Sequence, residues 1–212
     1  MKRNILFAIA LLVTMNVAAQ TTKEVYVGYS RVMNEYEFSI FGQKKTGTGY
    51  GNGVEAGINY IRPISEPFAV TYGIQALYGW SEGIGEFTNV WETDQFIKFH
   101  VPVSVLIEIR RSGKDFAIEP LAGLDCSFYA YGKNKRGGHT YDWFDGKDSM
   151  GVNRLQFGWH VGVNFVYKRY FLTMNYQRDF TNVDGVEGHV SFSSENYSNR
   201  WVNTEIRLGY RF

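Results

Sequence analysis

Residues 68–80 read Phe-Ala-Val-Thr-Tyr-Gly-Ile-Gln-Ala-Leu-Tyr-Gly-Trp, and the spacing of their apolar side chains decides how the rest of the chain is read. Successive side chains on an extended strand point to opposite faces. Phe68, Val70, Tyr72, Ile74, Ala76, Tyr78 and Trp80 therefore share one apolar face, and Ala69, Thr71, Gly73, Gln75, Leu77 and Gly79 share a smaller, mixed one. Residues 155–167 repeat the pattern, with Leu155, Phe157, Trp159, Val161, Val163, Phe165 and Tyr167 against Gln156, Gly158, His160, Gly162, Asn164 and Val166. The same period of two runs through 24–33, 53–61, 96–109, 116–131, 170–180 and 200–212, which makes eight predicted strands. Beyond residue 19 no apolar run approaches the ~20 residues of a membrane-spanning helix, so the chain reads as all-β.

Alternation alone also fits a secreted sandwich or a soluble lipocalin-like barrel. Three features favour a membrane protein built from strands. The mixed face carries Gly28, Gly57, Gly73, Gly79, Gly123, Gly158, Gly162 and Gly209. Glycine weakens a strand unless close approach or curvature calls for it, and a narrow barrel interior does. The predicted connections alternate in length, short at 62–67, 110–115 and 168–169 and long at 34–52, 81–95, 132–153 and 181–199. Short turns at one membrane face and long loops at the other are the rule for such barrels. Tyr60, Tyr78, Trp80, Tyr167, Tyr170, Tyr210 and Phe212 fall on the apolar face near strand ends, as a membrane girdle would, where rings with a polar edge anchor at lipid headgroups. The expectation is a closed antiparallel eight-stranded transmembrane β-barrel, because a β-structure in lipid must leave no open edge.

The N-terminus carries the marks of export. Lys2 and Arg3 precede an unbroken apolar run at residues 5–13, and Val17 with Ala19 gives the small-residue pattern read by signal peptidase. A signal peptide over 1–19 and a barrel domain over 20–212 follow, with no cysteine near the cut for lipoprotein processing. The 22 basic and 21 acidic residues nearly cancel, which leaves no basic footprint for nucleic acid. A lone cysteine, Cys126, excludes an internal disulfide framework, and its parity turns it toward lipid. Glu82, Glu86, Glu92 and Asp94 make one long loop acidic, but their spacing matches no calcium loop. No cofactor and no metal are expected.

The final stretch, Ile206-Arg207-Leu208-Gly209-Tyr210-Arg211-Phe212, resembles the C-terminal signal of bacterial outer-membrane barrels, with alternate apolar residues ending in an aromatic. The body of the chain is similar to the small outer-membrane β-barrel domain family, sometimes termed porin-like. The matching stretches are Phe99-His100-Val101-Pro102-Val103, Pro120-Leu121-Ala122-Gly123 and Gly158-Trp159-His160-Val161-Gly162-Val163, followed by Tyr176 and Asn182. The resemblance implies a Gram-negative outer membrane and a C-terminal segment, Leu208, Tyr210 and Phe212, read by the barrel assembly machinery. It implies no single activity, since functions in the family are diverse. With an even strand count both termini lie in the periplasm, and the expected surroundings of the barrel are outer-membrane lipid and lipopolysaccharide.

An eight-stranded barrel is just wide enough for side chains to fill it, so a general diffusion porin is not expected. Parity sends Glu24, Glu55, Lys98, His100, Glu108, Glu119, Asp125, His160, Glu205, Arg207 and Arg211 inward. Unpaired charges there are costly, so a paired network is expected. Glu24 is expected beside Arg211, and Arg207, deeper in, beside Glu119 or Asp125. A gated small-ion path or proton relay is the alternative use of these groups. His100 and His160 lie near Ser104 and Asp125 at best, no local run pairs histidine with serine and acid as in the known lipid-modifying barrels, and no catalytic residue is assigned. Lys133, Lys135 and Arg136 in the third long loop are candidates for lipopolysaccharide phosphates, and Tyr141, Trp143 and Phe144 for surface contact or for packing on the rim. The reading is a structural surface barrel whose loops serve adhesion or ligand contact. The alternatives are a subunit of an envelope secretion or uptake complex with an unidentified protein partner, and a lipid-modifying enzyme or narrow gated channel.

Overall fold

A computed structural model describes residues 21–40, 43–84, 91–110, 115–144, 152–181 and 198–212; the predicted signal peptide and the boundary at residue 20 lie outside them. The elements are β1 (Thr22–Ile40), β2 (Gln43–Ser65), β3 (Phe68–Ile84), β4 (Trp91–Ile107), β5 (Ile109–Arg110), β6 (Phe116–Arg136), β7 (His139–Asp142), β8 (Leu155–Tyr167), β9 (Tyr170–Asp179) and β10 (Ser198–Arg211). Eight of them, all but β5 and β7, form one antiparallel ring in which each strand pairs with its neighbours in sequence. Pairing of β1 with β10, from Glu24↔Arg211 to Glu37↔Ser198, closes the ring. No sheet edge is left, so every ladder hydrogen bond in the ring has a partner.

Burial is inside out. Val27, Ile74, Leu124, Trp159, Met174, Ile206 and Leu208 are exposed on the outer face, while Glu55, Lys98, His100, Glu119, Gln156 and Glu205 are buried within the ring. The alternation over 68–80 runs as the sequence predicts: Phe68, Ile74 and Tyr78 point out, and Ala69, Thr71, Gln75 and Leu77 point in. A surface that is apolar around a polar interior matches a hydrocarbon solvent and not water.

The strands outrun their hydrophobic pattern. The predicted loop over 34–52 is mostly a hairpin, in which β1 and β2 stay paired from Thr22↔Ile61 to Ile40↔Gln43. β3 and β4 likewise pair as far as Ile84↔Trp91, and β6 continues to Arg136 and folds back on β7 through Gly137 and Gly138, both at positive φ. These extensions stand beyond the belt, where neither face meets lipid and the apolar alternation that marks a strand fades. A bulge opposite Ile97 and Lys98 inserts Ala130 and switches the parity of β6: Tyr129 points inward, and so do Gly132 and Asn134. At the other end the turns are tight. β2 turns into β3 at Glu66 and Pro67, and β8 into β9 at Lys168 and Arg169, with Lys168 at φ 56°. That end, which carries Thr22 and Phe212, is the terminal end; the hairpins mark the distal end.

Candidate functional site

The lumen gathers the polar chemistry of the chain. Along β10, Glu205, Arg207 and Arg211 point inward in turn, and each meets groups from strands far away in sequence. Arg211 Nε donates to Glu24 Oε1 at 2.7 Å, and its two terminal nitrogens donate to Glu119 at 2.7 and 2.5 Å. This fork on a carboxylate is the strongest geometry an arginine makes. Arg207 Nε donates to Glu55 Oε1 at 2.7 Å, and its Nη2 donates to Glu205. Its guanidinium also lies 5.0 Å from the centre of the Tyr26 ring.

The partners expected for Glu24 and Arg211 are thus the ones found, and those expected for Arg207 are not. Glu119 is held by Arg211, and Asp125 by His160. The reason is register: β1 separates β10 from β2 and sets Gly28 between Glu55 and Arg207, so the two side chains meet over a residue that has none. Glu108 is a second correction. It lies past the end of β4, exposed, and pairs with Arg110 at 2.6 Å outside the lumen.

A second constellation joins three strands. Ser104 on β4, Gly123 on β6 and His160 on β8 are direct cross-strand partners. A Cβ at Gly123 would come within 2.7 Å of Ser104 Cα and 2.8 Å of His160 Cε1, so the glycine is what lets serine and histidine meet across it. Ser104 Oγ lies 2.5 Å from His160 Nε2, and His160 Nδ1 lies 2.7 Å from Asp125 Oδ2. A carboxylate only accepts, so Nδ1 carries a proton, and in the neutral imidazole Nε2 then accepts the serine hydroxyl. All three residues are buried. They line a cavity of about 20 Å³ together with Asn59, Asn164 and Arg207. A water needs ~10–15 Å³, so the space is large enough for one. Residue parity placed these groups on one face of the sheet, but their order as a hydrogen-bonded chain depends on register across three strands, which no local sequence run records. His100 sits apart, its Nδ1 2.9 Å from Ser127 Oγ and 3.3 Å from Gln177 Nε2.

An aromatic layer closes the distal side. Trp143 is 3% exposed, stacked on Phe96 at 5.4 Å and on Trp201 at 6.2 Å, with Tyr129 at 5.9 Å and Val32 and Leu77 in the same cluster. Of the two readings of the Tyr141, Trp143 and Phe144 group, Trp143 follows the one in which it packs down: it is a plug and offers no surface contact. Gly132 lies directly under its indole, where a Cβ would collide with the ring. Phe144 is half-buried with Arg154 4.1 Å above its ring, and Tyr141 has Arg136 at 5.2 Å. Lys135 is exposed, Lys133 lies 5.5 Å over the Tyr131 ring, and Arg136 reaches Glu92 at 3.5 Å.

The girdle candidates lie on the outer face at both ends. Tyr60 stacks on Tyr72 at 5.6 Å near the terminal end, and Tyr78 lies 5.7 Å from Trp80 toward the distal end. Tyr167 and Tyr170 are exposed beside the tight turn, and Tyr210 contacts both Tyr170 and Phe212 edge-on. Leu208 and Phe212 are exposed, and the Phe212 amide donates to the Lys23 carbonyl at 2.9 Å. Cys126 is half-buried on the outward parity of β6. Inside the terminal mouth, Ile61, Ala69, Leu106, Glu119 and Arg211 line an open vestibule of about 570 Å³. Among the described residues no group of three or more His, Cys, Asp or Glu is placed to hold a metal ion.

The sequence matches no protein-family model and no curated protein. Among solved structures the chain is similar to Neisserial surface protein A, at 12% identity and a TM-score of 0.43 over 89% of this chain and 97% of that one. It is similar to Ail, the attachment invasion locus protein of Yersinia pestis, solved with the heparin analogue sucrose octasulfate, at 12% identity and a TM-score of 0.44 over 91% and 99%. It is also similar to the outer membrane enzyme PagL, at 10% identity and a TM-score of 0.43 over 86% and 98%.

Proposed function

We propose that the chain is an integral barrel of a Gram-negative outer membrane, both termini periplasmic, that presents its distal hairpins at the cell surface for adhesion or ligand contact and does not serve as a diffusion channel. The observation that carries this reading is the filled lumen: the Trp143–Trp201–Phe96–Tyr129 layer at one end and the Arg207 and Arg211 ion pairs below it. Charges paired this closely in a narrow interior are a structural fill, since removing either partner leaves a buried charge. The apolar belt meets the acyl chains of lipopolysaccharide and phospholipid, and Lys133, Lys135 and Arg136 stand where lipopolysaccharide phosphates would lie. The C-terminal strand ending in Phe212 serves the barrel assembly machinery. Purified folded protein in a planar bilayer is expected to show no steady conductance; large, stable open channels would overturn the reading.

The terminal vestibule supports a second reading, a subunit of an envelope secretion or uptake complex. Its rim carries Arg110, Lys168 and Arg169 together with Glu66 and Glu108, a mixed-charge ring suited to a periplasmic protein segment. A stoichiometric protein retained through mild detergent extraction would favour that reading, and a barrel carrying only lipopolysaccharide would remove it.

A further inference from the structure

We propose that Ser104 is an activated nucleophile, with His160 as its general base and Asp125 as the positioning residue, and that the site acts on short acyl esters that enter through the terminal mouth. The three side chains have the order and atom polarity that nucleophilic serine chemistry needs: hydroxyl on Nε2 at 2.5 Å, carboxylate on Nδ1 at 2.7 Å. They come from three strands of a rigid ring and meet over Gly123, so their geometry is fixed before any ligand arrives.

A serine that merely fills space needs no room in front of its oxygen. Here Ser104 lines the 20 Å³ cavity, and Arg207, Asn59, Asn164 and Asn175 line it too. The amide nitrogens of Asn59, Asn164 and Asn175 donate to Glu24, Glu119 and Glu205, so the positive charge of Arg207 is what a developing oxyanion meets in that wall. The cavity is separated from the 570 Å³ vestibule by the Ile61, Ala69 and Leu106 cluster, against which Leu121 of the cavity wall packs, and by the Arg211 pairs. The free volume is about that of one water, so an acyl group of a few atoms enters only as the Ile61–Ala69–Leu106 layer and the Arg211 pairs give way.

In the reaction, Ser104 Oγ bonds to the ester carbonyl carbon while its proton passes to His160 Nε2. The bond from that carbon to the alcohol oxygen breaks, and the alcohol leaves with the proton. Water then attacks the acylated serine and gives a proton to His160. The acid departs as Ser104 Oγ takes that proton back, and the sum is ester plus water to alcohol plus acid.

The test is covalent labelling of the folded protein in detergent with methanesulfonyl fluoride, followed by mass mapping, beside hydrolysis of p-nitrophenyl acetate. Sulfonylation on Ser104 is expected, with loss of fluoride, and both signals are lost in Ser104→Ala. His160→Gln slows labelling by about 10²–10⁴-fold. Asp125→Asn slows it as well and displaces its pH profile, which a merely structural carboxylate would not do. Folding of each variant is checked by heat-modifiable migration. No adduct on Ser104 in folded protein overturns the proposal, and so does labelling of His160→Gln and Asp125→Asn at the rate of the parent. The labelling is independent of the bilayer result, so a silent bilayer and an unreactive serine separate the two readings.

Discussion

Arg207 shows how much one side chain in this lumen carries. It pairs with Glu55 and Glu205 at once, with both carboxylate side chains fully buried and its own 10% exposed. Replacing it with leucine removes the cation and leaves two acids in a narrow interior. The Arg207→Leu barrel is expected to lose about 3–5 kcal/mol, read as a lower urea midpoint at unchanged slope. An unchanged midpoint would mean that this arginine and its acids do not share a dry site. By contrast Glu108, with its partner Arg110 in water, belongs to the class of exposed pairs worth little.

At the scale of elements, the distal plug and the closing strand have separate duties. Trp143 follows the β6–β7 hairpin and drops into the ring, where it holds Phe96, Tyr129 and Trp201 in one aromatic cluster. Trp143→Ala is expected to cost about 3–5 kcal/mol, seen as a lower temperature of heat-modifiable unfolding. The bilayer is expected to stay silent all the same, because the ion-paired layers of Arg207 and Arg211 lie beneath. A variant that conducts would show that the plug alone seals the lumen. The closing strand β10 is followed at once by Phe212, whose ring touches Tyr210 on the outer face and whose amide ties back to β1 at Lys23. Deleting Phe212 removes that tie and the aromatic terminus together, and folded protein in outer-membrane fractions is expected to fall sharply. Normal levels of the truncated chain would detach assembly from this residue.

The whole molecule is defined by its inversion, with apolar side chains outside and charged ones inside. Tryptophan fluorescence can read that directly. In bilayers of bromine-labelled lipid, a variant keeping only Trp159, which is 37% exposed on the outer face, is expected to be quenched strongly, and one keeping only Trp143, at 3%, hardly at all. Equal quenching of both would contradict the inside-out arrangement. The same inversion explains why the ring count and the inward parity of Glu24, Glu55, His160 and Arg211 were legible in the chain. Side chains alternate with period two whatever surrounds the strand, and the lipid-facing half must be apolar without interruption.

The sequence by itself determined the alternation, hence eight crossing strands, a closed ring and the residues that face inward. It could not determine which inward residues touch. Contact depends on register and shear, which follow from pairing between strands as distant as β1 and β10, and on the bulge at Ala130 that changes parity within β6. That is why Arg207 belongs to Glu55 and Glu205 and not to Glu119, why Trp143 is a plug, and why Ser104, His160 and Asp125 form one hydrogen-bonded chain. Period and parity are local and written along the chain; the meeting of side chains across a lumen is a property of the closed ring.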